Sequence, residues 1–352
     1  MKSQYIHKDD FNMKKKISFI ITICLISVLL YVFTNLHSDA DANVTKSGFY
    51  FDTIISITLY GTADESYIDQ CFDMASQYEN LLSNTIDNSD ISRINANAGK
   101  SAVEVSDDTV EILKAGIKYG ELSHGAFDIT IGNLSSLWDF SEIAENTDSD
   151  DNEVDASYLP PDEEIASIIK HIDYTKIEID GNKVKLLDAG AKLDLGGIAK
   201  GFIADKMKAY LTSQGINSGF INLGGNVLTL GEKADATDYT IGIQRPFDES
   251  GNTITTVEVK DKSVVTSGIY ERYYRVNGKI YHHILDVSTG YPYDNGLYSV
   301  TIISDSSMDG DALSTICFAL GLDKGMELIE SLDDVEAVFV TDDYEIISSS
   351  GV

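Results

Sequence analysis

The chain has 352 residues, 43% of them hydrophobic, which is enough apolar material for one large domain or two small ones. Lysine and arginine number 26 against 57 aspartate and glutamate residues, so the formal net charge is −31. Such a surface repels phosphate backbones and argues against nucleic-acid binding; a phosphate-bearing ligand would need a local cation, either a metal or a placed lysine. The three cysteines fit neither a zinc pattern nor a disulfide framework, and Cys71 and Cys317 fall in helix-like segments where buried thiols are expected.

The N-terminus has the pattern of a targeting segment. Three lysines, Lys14 to Lys16, precede an apolar run over 17–33. The basic flank predicts a cytoplasmic tip with the rest of the chain exported, and we expect residues 1–42 to form tip, uncleaved membrane anchor and linker. The alternative is a cleaved signal peptide and a secreted protein, since residues 40–42 resemble a small-residue cleavage site.

Hydrophobic periodicity divides residues 43–352 into interleaved helices and strands. Helices are predicted over 66–84, 107–123, 198–214 and 309–320, the second with Asp107 as a candidate N-cap. Strands are predicted over 48–60, 176–179, 183–187, 219–230, 239–244, 253–259, 264–266, 298–303, 337–341 and 345–348. Hairpins are frequent, so the pattern favours a mixed α+β domain over a doubly wound sheet.

Residues 142–164 interrupt this pattern. The stretch is dense in aspartate and glutamate, contains few apolar side chains and runs into Pro160-Pro161. We therefore expect a mobile, acidic surface insertion that does not pack on the core. Calcium capture is the less favoured interpretation, because the carboxylates lack the regular spacing of a calcium loop.

A glycine-rich segment over 194–201 lies between a strand-like and a helix-like run. It holds three glycines, Asp194 and Lys200. Glycine allows the backbone to approach a ligand closely, and a helix N-terminus offers free N–H groups to an anion. The segment is therefore a candidate phosphate site, although such turns are as often only tight turns.

Two further patterns have chemical potential. Asp311 and Thr315 lie four residues apart on a predicted helix, so a carboxylate and a hydroxyl share one face and suit Mg²⁺; helix capping is the alternative. His282 and His283 are adjacent in a strand-like run, so only one of them can face a given site. That histidine could accept a proton from a hydroxyl, whereas a half-buried structural histidine is the alternative.

Three weaker motifs are the turns at 125–130, 222–226 and 266–272. Each alone is typical of a tight turn, bulge or cap. The chain has no GxxxxGK[ST] loop, no GxSxG elbow and no HExxH helix, which weakens P-loop NTPase, serine-hydrolase and zinc-protease interpretations.

Taken in order, these segments resemble the family of FAD:protein FMN transferases, or ApbE-type flavin transferases. The resemblance spans about residue 48 to the C-terminus. The matching stretches are 51–53, 89–95, 125–128, 194–201, 222–225, 266–270, 283–286 and 311–315. It implies a single T-fold-like mixed domain of interleaved helices and mostly antiparallel sheets over residues 43–352.

The resemblance also implies an activity and its partners. Members of the family require Mg²⁺ and take FAD as their substrate. They transfer FMN from FAD to a Thr or Ser hydroxyl of an exported, FMN-carrying acceptor protein and release AMP. The expected location is the cell membrane, with the catalytic domain outside the cytoplasm. Alternatives are an FAD pyrophosphatase, in which water replaces the acceptor, an exported flavin carrier without chemistry, and an adhesive surface protein that binds no flavin.

Site residues follow from the resemblance position by position. His283 matches the proposed general base, and Gly197 (through its carbonyl), Asp311 and Thr315 match the metal ligands. The positions that match FAD contacts are Phe51, Thr85, Ala126, Phe127, Asp128, Asp194, Lys200 and Ile284. The chain departs from the family pattern at Phe51 (many relatives have Met), Thr85 (many have Tyr) and Val287 (usually Pro).

Overall fold

A computed structural model describes residues 42–140, 152–233, 235–249 and 251–352. The predicted cytoplasmic tip and membrane anchor lie outside these residues. Within the described ranges, no helix has the length and apolar character needed to cross a membrane.

The described chain alternates helices and short strands. The strands are β1 (Asn43–Tyr50), β2 (Thr53–Tyr60), β3 (Val103–Glu104), β4 (Ile177–Asp180), β5 (Lys183–Leu186), β6 (Ser218–Leu223), β7 (Asn226–Gly231), β8 (Tyr239–Gln244), β9 (Thr253–Val259), β10 (Ser263–Gly268), β11 (Tyr273–Val276), β12 (Lys279–His282), β13 (Leu297–Ser304), β14 (Glu336–Thr341) and β15 (Ile346–Ser348). The helices are α1 (Ser66–Leu82), α2 (Asp90–Ala96), α3 (Asp107–Leu122), α4 (Gly132–Trp138), α5 (Asp162–Ile168), α6 (Ala199–Ser213) and α7 (Ser307–Glu330).

An eight-stranded antiparallel sheet organises the fold, in the order β1-β2-β6-β7-β10-β13-β14-β15. Smaller antiparallel sheets are β3-β5-β4, β8-β9 and β11-β12. The predicted mixed α+β class with mostly antiparallel sheets is thereby confirmed.

Two predicted strands are hairpins instead. The strand expected over 48–60 turns at Phe51 and Asp52, whose φ angles are 53° and 54°. The strand expected over 219–230 turns at Gly224 and Gly225, with φ angles of 57° and 94°. Positive φ at both central residues suits the twist of a two-residue hairpin; the glycine pair signals such a turn, whereas Phe51 does not. Both turns lie at the same end of the main sheet, because β2 pairs with β6.

Helices α6 and α7 pack against each other and against one face of the sheet. Phe202, Ile203 and Met207 of α6 and Ile316 and Phe318 of α7 are fully buried in the main core. The free cysteines Cys71 and Cys317 lie in the same core, as predicted, and burial raises the pKa of each thiol to about 12.

The start of α7 is held by α6. Asp205 accepts hydrogen bonds from the backbone N–H groups of Ser307 and Met308, at 2.8 and 3.0 Å, and from the Ser306 hydroxyl at 2.8 Å. Gly201 makes this closeness possible, because an added methyl group would overlap the Ser307 carbonyl and lie 2.7 Å from Met308 Cα. The two helix N-termini are therefore fixed side by side.

Replacing Gly201 with alanine should consequently separate α6 from α7. We expect Gly201→Ala to destabilise the protein by about 1–3 kcal/mol, because the obstructing atoms are backbone and cannot rotate away. Urea unfolding of the variant beside Thr212→Ala, an exposed position on the same helix, measures the effect. Equal stability of Gly201→Ala and wild type would contradict this packing.

The acidic insertion departs from its prediction in its second part. Residues 142–151 lie outside the described chain, but 152–164 do pack: Val154 donates a backbone hydrogen bond to Arg275, and Leu159 contacts the small core around Trp138. The expectation that the whole stretch stays off the core is thus wrong for this part. Its few apolar side chains pack on the small core around Trp138 and not on the main core.

Candidate active site

The glycine-rich loop leads directly into α6. Asp194 anchors it: its carboxylate accepts a hydrogen bond from the Gly196 N–H at 2.8 Å, and its own N–H donates to the Ile129 carbonyl at 2.8 Å. The N-cap residue of α6, Ile198, makes no side-chain cap, but the Ala199 N–H donates to the Leu195 carbonyl and the Gly201 N–H donates to Asp311. The dipole of α6 still favours an anion at this helix end. Lys200 lies in the first turn, with Nζ 3.5 Å from the Gly196 carbonyl oxygen.

The segment around Phe127 lies beside this loop. Phe127 is buried, packs edge-on against Tyr119 at 6.2 Å, and its ring would be 3.0 Å from a methyl group placed on Gly197. Ala126 is half-buried next to it. Two of the predicted FAD-contact segments therefore meet in one place.

Asp128 has a supporting position. One carboxylate oxygen accepts from the Thr130 N–H and hydroxyl, at 2.8 and 2.7 Å, and the other accepts from the Tyr174 N–H at 2.8 Å. Burial raises the pKa of Asp128, while these hydrogen bonds oppose the rise. The carboxylate thus holds together the loop that carries Ala126 and Phe127.

The predicted metal ligands converge between α6 and α7. The buried Asp311 carboxylate accepts from the Gly201 N–H at 3.0 Å, which ties α7 to the start of α6. A methyl group on Gly197 would lie 3.8 Å from Thr315 Oγ1, so the glycine-rich loop and this face of α7 are in contact. The structure therefore brings Gly197, Asp311 and Thr315 together.

This donor set fits a hard cation. Mg²⁺ prefers oxygen ligands, and the three residues offer a carboxylate, a hydroxyl and a backbone carbonyl. Within the described residues, no group of three or more His, Cys, Asp or Glu side chains is placed to hold a metal ion. The set at α7 differs from such a cluster in having one carboxylate and otherwise neutral oxygens.

The two histidines have separate roles. His282 is buried; its Nε2 donates to the Tyr293 carbonyl at 2.8 Å, and its Nδ1 accepts from the Ile284 N–H at 3.3 Å. His283 is half-buried, and its Nδ1 lies 3.3 Å from the Arg272 carbonyl. Because a carbonyl can only accept, Nδ1 of His283 carries the proton and Nε2 keeps a free lone pair. The expected strand-like run ends at His282, the last residue of β12, and His283 lies in the bend that follows it.

Electrostatics connect His283 to the glycine-rich loop. Although part of the ring is accessible, surrounding protein atoms desolvate it and lower its pKa well below the usual 6.5. The neighbouring His282, Arg272 and Lys200 lower the pKa further. His283 is therefore a neutral imidazole at pH 7, close enough to Lys200 to respond to its charge.

His282 provides a pH test of this arrangement. Burial lowers its pKa to about 4 in the folded protein, against about 6.5 when unfolded. Its contribution to stability is therefore complete above pH 6.5 and is lost as the pH falls toward 4, by up to about 3 kcal/mol. In His282→Gln, which keeps a donor but cannot be protonated, urea unfolding at pH 7.5 and 4.5 should differ less than in wild type. An unchanged difference would contradict the assignment.

The remaining predicted contacts lie at varying distance from this centre. Ile284 is buried directly after the histidines. Phe51 lies in the turn between β1 and β2, at the end of the main sheet that also holds the Gly224-Gly225 turn. Its N–H donates to Glu79 at 2.7 Å. Thr85 is exposed in the turn after α1, where its hydroxyl pairs with Ser83 at 2.9 Å. Within the described chain, none of the hydrogen bonds of Thr85 reaches the glycine-rich loop.

Two residues that organise the site, Asp205 and Tyr119, were not singled out from the sequence, and Ser267 was named only as part of the turn at 266–272. Asp205 caps α7, Tyr119 hydrogen-bonds Asp309 while packing on Phe127, and Ser267 contacts Thr315 at 3.2 Å. Tyr119 could have been noticed, because it places a hydroxyl on the apolar face of α3. Asp205 had no such signal, because its partners are distant in sequence, and the turn at 266–272 did not indicate the contact between Ser267 and Thr315.

Known proteins resemble this chain in sequence and in fold. The sequence model of the ApbE family matches residues 51–339. An FAD:protein FMN transferase of Klebsiella pneumoniae (strain 342) is 38% identical over 297 residues, covering 84% of this chain and 88% of that protein. One from Treponema pallidum (strain Nichols) is 32% identical over 300 residues, covering 81% of this chain and 80% of that protein.

The likeness extends to three dimensions. The crystal structure of the ApbE protein of Thermotoga maritima has a TM-score of 0.78 and 31% identity, covering 88% of this chain and 97% of that one. A sequence match over most of the length thus coincides with a shared architecture. The chain belongs to the ApbE family.

Proposed function

We propose that this chain is an FAD:protein FMN transferase. The observation that carries the proposal is the meeting of three features: a helix N-terminus with Lys200 behind a glycine-rich loop, the oxygen donors Asp311 and Thr315, and a neutral histidine beside Lys200. The first suits a pyrophosphate, the second a divalent cation, and the third a hydroxyl that must lose a proton. The names of the relatives from Klebsiella and Treponema describe the same activity.

The glycine-rich loop would hold the pyrophosphate of FAD. In a chain of net charge −31, anion binding depends on local positive potential. Lys200 and the N-terminus of α6 supply it at one point, and Phe127 supplies apolar surface beside the loop. These groups position the phosphorus atoms, and positioning is a major part of catalysis in phosphoryl transfer.

His283 would act as the general base. Its Nε2 takes the proton of the acceptor Thr or Ser hydroxyl, whose oxygen attacks the phosphorus on the FMN side. A phosphoester forms between FMN and the acceptor, the bond between that phosphorus and the bridging oxygen breaks, and AMP leaves with the bridging oxygen. The Arg272 carbonyl keeps the base in the required tautomer through Nδ1.

Asp311, Thr315 and the Gly197 carbonyl would hold Mg²⁺. When bound, the ion supplies positive charge that offsets the charge of the pyrophosphate and of the leaving AMP. The Gly201 N–H fixes the orientation of the Asp311 carboxylate, so this ligand is ordered by the protein itself.

The location and partners belong to the same proposal. The lysine triplet and the apolar run over 17–33 support an N-terminal membrane anchor with the catalytic domain outside the cytoplasm. The acceptor would then be an exported, FMN-carrying protein with a target Thr or Ser. The acidic surface disfavours nucleic acid as a partner.

Product analysis tests the proposal. The full chain is incubated with FAD and a Thr-bearing acceptor domain, with Mg²⁺ or with EDTA, and nucleotides and acceptor mass are recorded. We expect AMP and an FMN adduct only with Mg²⁺. Free FMN and AMP with that acceptor and with every other exported acceptor tried would favour a pyrophosphatase, and intact FAD throughout would contradict both enzymatic assignments.

A further inference from the structure

Three hydroxyl groups from two elements meet next to the metal-ligand set. Ser267 lies near the end of β10, whereas Ser314 and Thr315 lie on α7. Ser267 Oγ is 2.7 Å from Ser314 Oγ and 3.2 Å from Thr315 Oγ1. Ser314 Oγ is in turn 2.9 Å from the backbone carbonyl oxygen of Asp311. The four oxygens form a chain that starts and ends at residues of the candidate metal site.

Each hydroxyl has one proton to donate, and this fixes the direction of the hydrogen bonds along these four oxygens. A carbonyl oxygen cannot donate, so the Ser314 hydroxyl donates its single proton to the Asp311 carbonyl. Ser314 must therefore accept a hydrogen bond from Ser267. Because Ser267 donates its proton to Ser314, it must accept the hydrogen bond that it shares with Thr315. The only arrangement that satisfies all three contacts runs from Thr315 through Ser267 and Ser314 to the Asp311 carbonyl.

The direction matters for Thr315. A neutral hydroxyl binds a cation through its lone pairs, and its proton must then point elsewhere, to an acceptor. With its proton directed to Ser267, Thr315 Oγ1 keeps its lone pairs for a cation. Gly197 lies beside this hydroxyl, and Asp311 lies one turn back on the same face of α7. Without that acceptor, the proton would turn to the carbonyl one turn back on α7, as threonine often does in helices, and the lone pairs would be redirected.

We propose that Ser267 is a positioning residue that orients the Thr315 hydroxyl as a ligand for a divalent cation. This inference rests on the proposed metal site of the transferase, but it concerns binding and not turnover. The neighbouring Thr266 offers a matched contrast: its hydroxyl pairs with Thr301 across the sheet at 2.8 Å and takes no part in the chain.

Binding of Mn²⁺ to the full-length protein, measured by titration calorimetry without FAD turnover, tests the assignment. Ser267→Ala should weaken Mn²⁺ binding by about 10- to 100-fold, as loss of a partner that orients a ligand typically does. Ser267→Thr, which keeps a hydroxyl, and Thr266→Val should bind Mn²⁺ like wild type. In a Thr315→Val background, Ser267→Ala should have no further effect, because the two residues act as one unit.

The outcomes separate this inference from the function. Equal Mn²⁺ affinity of Ser267→Ala and wild type, or an equal loss in the Thr315→Val background, would overturn it, as would wild-type binding that does not depend on Asp311. Correct Mn²⁺ behaviour in a protein that leaves FAD intact would instead support the role of Ser267 and refute the transferase proposal. Thermal unfolding of each variant confirms that the compared proteins are folded.

Discussion

Asp311→Asn is expected to lower FMN transfer by about 1,000-fold or more. The substitution removes the only charged member of the proposed metal-ligand set, and charge neutralisation accounts for much of the barrier in phosphoryl transfer. The asparagine oxygen can still accept the Gly201 N–H, so the link between α6 and α7 should persist. AMP release measured over a range of Mg²⁺ concentrations, with thermal unfolding in parallel, provides the readout.

The nearby Asp309 is the matched control for Asp311. It lies in the first turn of the same helix, and its carboxylate accepts a hydrogen bond from the Tyr119 hydroxyl. Asp309→Asn should therefore keep a Mg²⁺ dependence like that of wild type. Full activity of Asp311→Asn would remove Asp311 from the metal site, whatever the behaviour of the control.

His283→Ala is expected to lower transfer by about 100- to 10,000-fold while FAD still binds. Proton transfer by a positioned side chain contributes a factor of that size. Among the described residues, the imidazole hydrogen-bonds Arg272 alone, so its loss should leave the glycine-rich loop and FAD affinity intact. Single-turnover AMP release and a fluorescence titration of FAD separate the two effects.

His282 is the control for the base. His282→Gln removes the adjacent imidazole but not the proposed base, and should retain the transfer rate at pH 7.5 while changing stability in acid. If His283→Ala transferred FMN at the wild-type rate, the base assignment would be refuted. If both variants lost activity equally, the role would belong to the local structure of the histidine pair and not to Nε2 of His283.

The strongly periodic parts of the fold were predictable from the sequence. The helices at 66–84, 107–123 and 198–214 end within two residues of α1, α3 and α6, because their apolar spacing repeats over several turns. Local chemistry was harder to assign: Ser106, not Asp107, caps α3, since its hydroxyl accepts from the Thr109 N–H. A strand-like run was expected at His282, but its pairing with β11 was missed, because these short strands contain polar residues and no strong alternation.

The sequence named the residues of the candidate site but not their arrangement. Motifs such as 194–201 and 311–315 named the groups that meet, since each occupies a local turn or a single helix face. Their meeting depends on contacts between distant segments, for example Gly201 with Asp311 and Asp194 with Ile129. The difference between His282 and His283 likewise follows from carbonyl groups of Tyr293 and Arg272, which no local pattern specifies.

The most direct test of the central claim is the stoichiometry of AMP release against FMN attachment. The full chain is mixed with FAD, Mg²⁺ and a Thr-bearing acceptor domain, and tandem mass spectrometry locates the adduct while AMP is quantified. The account predicts one AMP for each FMN bound through phosphate to a Thr or Ser side chain, with no adduct when that residue is replaced by alanine. AMP formed at the same rate without the acceptor, and without any adduct in its presence, would contradict the account.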